Sequence, residues 1–283
     1  MSDIRAHRPA HAAPITLAPA GADRFALPLD ASLCTGAPDD RHMFGGAGAA
    51  AAVLAMEALS GQAALWVSAQ FHQAPRVGRV LEMAERSRLA GRSSVQFTLQ
   101  GTVDGEVAME ALGATGAAQP KGERRQWSRP ETVPGPQDCK FVSVHRDAHE
   151  DVHGRFEARQ ARGRFGKFSH DPRSGDGRVL VWLRPFSGVV DRAALAVIAD
   201  FLPACTSDAL GVRCGGRSLD NLVRFAALVP TEWVLAEYRI DAVADGVGHG
   251  TTRLYAEDGT LLALGSQSFR LLLAPRAGEP GGA

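Results

Sequence analysis

The sequence predicts an α+β protein built from two similar units in tandem, each an apolar helix followed by an antiparallel meander that wraps it. Three observations predict this. Two blocks of about 105–120 residues, separated by a polar stretch, show the same order of helical and strand-like patterns. Each block closes on a hairpin pattern with an Asp-Gly turn and a following Leu-Gly: TVDGEVAMEALGATG in the first, YAEDGTLLALGSQSF in the second. Each block also carries a helix pattern apolar on nearly all sides, the signature of a buried helix.

In the first block an extended segment at Arg24–Leu29 precedes a small-residue helix over Ala47–Leu59. Strand patterns follow at Ala64–Phe71, Gly78–Leu89, Ser93–Gln100 and Val107–Ala114. In the second, extended segments at Arg155–Arg162 and Arg178–Leu183 precede a helix over Arg192–Leu202. Strands then follow at Ser218–Ala227, Trp233–Ala244, Gly250–Ala256 and Thr260–Leu272. Between the blocks, KGERRQWSRPETVPGPQD has the prolines and charges of a linker. The expected organisation is a first unit over residues 13–118, a linker over 119–153 and a second unit over 154–275, with tails at both ends.

Composition narrows the function. Hydrophobic residues make up 45% of the 283, enough for a sizeable core. Lys+Arg and Asp+Glu are both 31, so net charge gives no drive towards nucleic acid or an acidic membrane. The four cysteines form no CxxC pair, which signals neither a zinc site nor a disulfide framework and suits a reducing cytoplasm. The opening residues lack the continuous apolar stretch of a signal peptide, and the alanine-rich run from Gly45 to Leu59 is too short to span a bilayer. The expectation is a cytoplasmic protein without membrane insertion.

One residue stands out by chemistry alone. Asp200 is the single charge in AALAVIADFL, and a carboxylate on a buried helix calls for a partner. Burial raises its pKa, and a helix C-terminus disfavours its charge, so both effects would make it a better base. A helix-end aspartate turned to solvent is the plainer reading on the residues alone.

Several runs taken together resemble the acyl-CoA thioesterase II (TesB-like) family of double-hotdog enzymes. They are HMFGGAGAAAAVLAMEAL, LWVSAQFHQAP and AGRSSVQFTLQ in the first block, with VLVWLRPFSG, ALAVIADFL, RSLDNLVRF, PTEWVLAEYRI and YAEDGTLLALGSQSFR in the second. The resemblance implies two tandem hotdog domains and hydrolysis of acyl-CoA to free fatty acid and CoA, with no cofactor, no metal and no covalent intermediate. It implies a catalytic set of Asp200 in the ADF motif, Ser218 in RSLDN and Gln267 in GSQSF. Many relatives carry His after the LD pair and Glu after the Gln. Here Asn221 and Ser268 stand at those places, and Ala226 falls within a strand that relatives fill with an aromatic-His-Arg run.

Other features are weighed against the same background. Gly45 and Gly46 open a helix, whose N–H groups suit an anion or oxyanion and make them candidate substrate-binding residues. Close helix packing accounts for them equally well. His145, His149 and His153 share a helical spacing but sit among charges in the linker, which argues against a metal. The basic run from Arg155 to Lys167 suits CoA phosphates, although solvated charge is the simpler account. No Gly-x-Ser-x-Gly is present, which disfavours a serine α/β-hydrolase. A catalytically weak acyl-CoA-binding protein is the alternative, and Asp39 with His42 only poorly imitates a hydratase pair. Exposed sheet edges favour a homo-oligomer.

Overall fold

The computed structural model describes residues 13–117, 122–144, 150–167, 169 and 172–273. The first part contains β1 (Ala18–Gly21), β2 (Arg24–Pro28), β3 (Cys34–Thr35), β4 (His42–Met43), α1 (Gly45–Ser60), β5 (Ala63–Phe71), β6 (Val80–Ala90), β7 (Ser94–Val103) and β8 (Glu106–Gly116). The second contains β9 (Lys140–Phe141), β10 (Phe156–Arg162), β11 (Arg178–Pro185), α2 (Arg192–Ala199), α3 (Thr206–Leu210), β12 (Cys214–Ser218), β13 (Asp220–Phe225), β14 (Val234–Ala244), β15 (Val247–Ala256) and β16 (Leu261–Leu273).

All but β3 and β4 join one antiparallel sheet in the order β1-β2-β6-β7-β8-β5-β13-β16-β15-β14-β11-β10-β9, with β12 also paired to β16. The order β2-β6-β7-β8-β5 repeats in reverse as β11-β14-β15-β16-β13, with β5 and β13 meeting at the centre. Their register, Asp220 opposite Gln70 through Arg224 opposite Trp66, makes the sheet continuous across the middle. In each half the helix lies between its leading strand and its meander.

α1 and α2 pack against each other and against one face of the sheet, α1 on β5 and β8 and α2 on β13, β15 and β16. Ala47, Ala49, Ala50, Ala51, Ala52 and Ala55 of α1 are fully buried, so small side chains let α1 approach the sheet closely. Arg192–Leu210 is long and apolar enough to cross a membrane by composition, but 78% of its apolar window is buried inside the protein. Its helix is interrupted: α2 spans eight residues, shorter than the sequence pattern suggested. Pro203 is the physical cause, because it has no N–H to give to the carbonyl of Ala199. The chain tightens into a 3-10 turn at Leu202–Cys205. Tyr238 Oη donates to the Ile198 carbonyl at 2.6 Å, and Thr252 Oγ1 to that of Ala199 at 3.5 Å.

The segment after β8 lies across the outer face of the second half. Trp182 Nε1 donates to the carbonyl of Pro134 at 2.9 Å, and Gln126 bridges the carbonyl of Gly259 and the N–H of Leu261. Val133 packs onto a cluster of Trp182, Trp233, Leu235 and Tyr255. Much of the expected linker is therefore a cover for this half.

The hairpins differ from the sequence reading in one respect. Asp104-Gly105 has both residues at positive φ, 51° and 84°, as a type I′ turn requires. In Asp258-Gly259 only the glycine is left-handed, at 82°. A second turn with both residues left-handed is Asp245-Gly246, between β14 and β15, with φ 50° and 74°. Replacing Gly246 by Ala should lower unfolding stability by about 1 kcal/mol, because a side chain there disfavours the left-handed conformation. Urea denaturation of the variant against wild type measures it.

Candidate active site

Asp200 is the residue left at the break after α2, and it is 1% exposed. A carboxylate so deeply buried needs donors on its oxygens. Oδ2 accepts the backbone N–H of Gly46, the second residue of α1, at 2.6 Å. Oδ1 accepts from Ser218 Oγ at 3.0 Å, from Asn221 Nδ2 at 3.3 Å and from Gln267 Nε2. Gln267 Nε2 donates also to Ser218 Oγ at 2.7 Å. The three residues singled out through the resemblance thus meet in one hydrogen-bonded cluster.

The local backbone explains how one strand supplies two of these donors. Successive residues of a strand face opposite sides, so Ser218 and Asn221, three apart, would face opposite ways in an unbroken strand. The pairing shows an extra residue between them. Ser218 lies opposite Phe269 and Leu222 opposite Ser266, so four steps along β12–β13 match three along β16. This is a β-bulge. It is pinned by the N–H of Leu219 on the carbonyl of Ser268 and by the N–H of Ser268 on Asp220 Oδ1. The bulge turns Ser218 and Asn221 to the same side.

Electrostatics at Asp200 is a contest between burial and these donors. Burial pushes its pKa up to about 7; the Gly46 N–H opposes most strongly, then Ser218, Gln267 and Asn221. The sequence reading expected the end of α2 to add to the rise. Asp200 does cap the end of α2, and the structure adds an opposing contact: the carboxylate also faces the N-terminus of α1, whose dipole favours its charge. Gln267 Oε1 is buried and has no hydrogen-bond partner among the described residues.

A cavity of 570 Å³ opens beside the cluster. Asp200, Ser218 and Gly45 lie on its wall, with Phe44, Phe71, Phe201 and Leu272 as apolar lining and His42, His72, Lys167 and Arg217 as polar lining. Residues of both halves contribute. This volume is within the range of small-molecule sites.

Gly45 and Gly46 turn out to have separate roles. The N–H of Gly46 is spent on Asp200, so it is not a donor to a ligand in this structure. Gly45 lines the cavity. Neither position has room for a side chain. A Cβ on Gly45 would lie 2.9 Å from Asp200 Oδ2, and one on Gly46 would lie 2.9 Å from the Val197 Cα and from Asp200 Cβ.

The basic run is mostly engaged with protein. Arg155 holds Ser32, Arg159 pairs with Glu157 and Arg162 pairs with Asp176; Lys167 lies on the cavity wall. His145 and His149 lie outside the described residues. His153 Nδ1 is 2.9 Å from Asp151 Oδ1, and its ring stacks on Phe201 at 5.0 Å. Among the described residues no cluster has the ligands for a metal ion. Asn221 is the site residue the sequence reading missed. It registered there only as a departure from the family pattern, because the bulge that turns it inward has no local signature.

The antiparallel sheet with its buried helices defines a protein of the hotdog class. Among solved structures it is similar to a hotdog-fold protein from Alicyclobacillus acidocaldarius, at 21% identity and TM-score 0.75 over 93% of this chain and 97% of that one. It is also similar to an acyl-CoA thioesterase II from Mycobacterium marinum, at 16% identity and TM-score 0.71 over 94% and 98%. A protein assigned as a thioesterase from Novosphingobium aromaticivorans shares 30% identity and a TM-score of 0.82, over 93% of this chain and 100% of that one. The sequence model of the acyl-CoA thioesterase C-terminal domain matches residues 136–271. No curated protein matches the chain. The chain belongs to the acyl-CoA thioesterase II (TesB-like) family, a family of thioester hydrolases.

Gly46→Ala tests the helix contact. The added methyl meets main chain that cannot move aside, so stability should fall by about 1–3 kcal/mol. A midpoint in urea equal to that of wild type would contradict the close approach.

Proposed function

We propose that this protein hydrolyses acyl-CoA thioesters to free fatty acid and CoA, with Asp200 as general base to an attacking water. The observation that carries this reading is a single buried carboxylate, held by Gly46, Ser218, Asn221 and Gln267, on the wall of a largely apolar cavity. A thioester carbonyl is electrophilic and its thiolate leaves readily, so an oriented, partly deprotonated water suffices.

The roles follow from the lone pairs. Oδ1 of Asp200 already accepts three donors, whereas Oδ2 accepts one and retains acceptor capacity on the side of Gly45. Oδ2 is therefore the atom assigned to take the proton. Gln267 Oε1 supplies a second acceptor for the same water. Ser218 Oγ donates to Asp200 and accepts from Gln267, which suits it to holding the carboxylate in place rather than to attack. The N–H of Gly45 at the start of α1 is the donor assigned to the carbonyl oxygen as negative charge develops there. Water adds to the carbonyl carbon, its proton passes to Asp200, and the C–S bond breaks to release CoA thiolate. No cofactor, metal or covalent intermediate enters the scheme.

The wider reading is of two tandem hotdog units over residues 13–118 and 154–275, with 119–153 between them. It is supported by the reversed repeat of strand order, although the second central helix is short. A cytoplasmic setting suits four buried, unpaired cysteines. We also propose a homo-oligomer that neither inserts in membranes nor binds nucleic acid; the balanced charge supports the latter.

Thiol release from a panel of acyl-CoA substrates tests the reading. Asp200→Asn should lower kcat about 10²–10⁴-fold. Because the carboxylate is the active form, the wild-type rate should fall as pH drops through about 7 and level off above it. Turnover that persists in Asp200→Asn with the same pH profile would sink the assignment of the base. Binding of acyl-CoA without any thiol release would identify a binding protein instead.

A further inference from the structure

We propose that Asn221 is a positioning residue for Asp200: its amide N–H holds Oδ1 and favours the carboxylate over the protonated acid. The inference rests on the reading of Asp200 as the base and adds a fourth side chain to the cluster. Three observations carry it. Asn221 is 1% exposed, so its amide is withdrawn from water and a lost partner would not be replaced by bulk solvent. Its Nδ2 lies 3.3 Å from Asp200 Oδ1, the oxygen that also receives Ser218 and Gln267. It reaches that place only because of the bulge between Ser218 and Leu222, which adds a residue to one strand opposite β16.

The chemistry of an amide N–H gives the role its direction. A carboxylate accepts from it, and so does the carbonyl oxygen of a protonated acid, but the ionic acceptor is bound more strongly. Each such donor therefore lowers the pKa of a buried acid. An amide cannot itself ionise in this range, so it holds the base without competing for the proton. Asn221 is also tied to the other half of the molecule, because its backbone lies opposite Ala69 of β5 in the central pair of strands. The position of the donor is thus fixed by the sheet rather than by a loop.

The other groups around Asp200 leave this effect readable. From the start of α1 comes Gly46, capped by Phe44, from β16 Gln267 and from β12 Ser218; His42, His72, Lys167 and Arg217 share the cavity wall with Asp200 and are common to wild type and variants. Tyr238 of β14 has its hydroxyl on the Ile198 carbonyl, and burial pushes its ionisation well up. Cys205, in the turn after α2, is likewise pushed well up by burial. Asp220 of β13 is turned to the N–H of Ser268. His153 lies beyond the ring of Phe201 and is paired with Asp151.

Two variants test the proposal. Asn221→Leu removes the donor at similar volume, and Asn221→Asp keeps the shape while placing a second acid beside Asp200. Rates of thiol release from butyryl-CoA and decanoyl-CoA are measured from pH 5 to 9.5. In parallel, the Asp200 carboxyl is titrated by carbon NMR on selectively labelled protein, a readout that needs no turnover. The inflection should move up by about one pH unit in Asn221→Leu and further in Asn221→Asp. The loss of kcat/KM relative to wild type should then be about tenfold at acid pH and should shrink towards pH 9. Asn221→Asp serves if the leucine variant does not fold.

A merely structural asparagine would lower stability or raise KM and leave the inflection where it is. Coincident wild-type and variant titrations would overturn the proposal. If Asp200→Asn retains turnover, the reading of the base fails. If that variant is inactive while the Asn221 titrations coincide with wild type, only the present inference fails.

Discussion

Where α1 begins, the N–H of Gly46 reaches the carboxylate that ends α2, at 2.6 Å, and much of the architecture is constrained by that bond. A charge that is 1% exposed has lost nearly all its hydration and must be compensated by fixed donors. A helix N-terminus supplies both an unused N–H and a favourable dipole, but only when the main chain comes within hydrogen-bonding distance. This approach leaves no space for side chains at residues 45 and 46. The glycine pair, the alanine-rich body of α1 and the proline that interrupts the second helix after Asp200 are therefore parts of one arrangement. Because α1 and α2 come from different halves, neither half could build the site without the other.

The contest at Asp200 is also what gives the site a useful pH range. Four donors on one carboxylate would ordinarily hold it well below neutrality, yet burial prevails and leaves it at about 7. A tenfold change in the acid's ionisation equilibrium corresponds to about 1.4 kcal/mol between its two protonation states. Donors worth roughly that amount each can therefore place the base on either side of neutral. Small changes around Asp200 are expected to move the pH range before they move the fold.

The sequence made much of the frame legible and less of the site. Strand patterns fell within a few residues of β5 to β8 and β13 to β16 because alternation and turn residues are local signals. The bend after Ala199 was less visible, since the helix pattern runs through it and only Pro203 marks the change. Asp245-Gly246 has the same turn chemistry as Asp104-Gly105, but it sits inside one long apolar-alternating run and so does not stand out. Asp200 declared itself as the one charge on an apolar helix. Ser218 and Gln267 did not, because a hydroxyl and an amide on strands are ordinary, and only the family resemblance joined them. In the sequence, Gly46 at a helix start suits an anion. It does bind an anion, but that anion is Asp200, a residue 154 positions away, and no local pattern encodes such a distant partner.

The two halves show how a shared backbone device acquires chemistry on one side only. β5 pairs with β8 as β13 pairs with β16, and there too the register slips by one residue, between Ala64 and Trp66. In the first half the residues around the bulge that turn to the core are Ala64 and Val67, both fully buried and apolar. In the second half Val223 holds the place of Val67, opposite Gly265 as Val67 is opposite Gly113, and the bulge itself brings in Ser218 and Asn221. The bulge is thus a feature of curvature, letting each strand bend round its helix. Donors became possible wherever it aimed side chains inward. The only acid on α1, Glu57, is spent on the N–H of Ala64 at 2.8 Å, and among the described residues no carboxylate of the first half meets such a pair. The asymmetry follows from a few side chains on a common frame, and it makes the bulge beside Asn221 the place where sheet geometry and acid–base chemistry are joined.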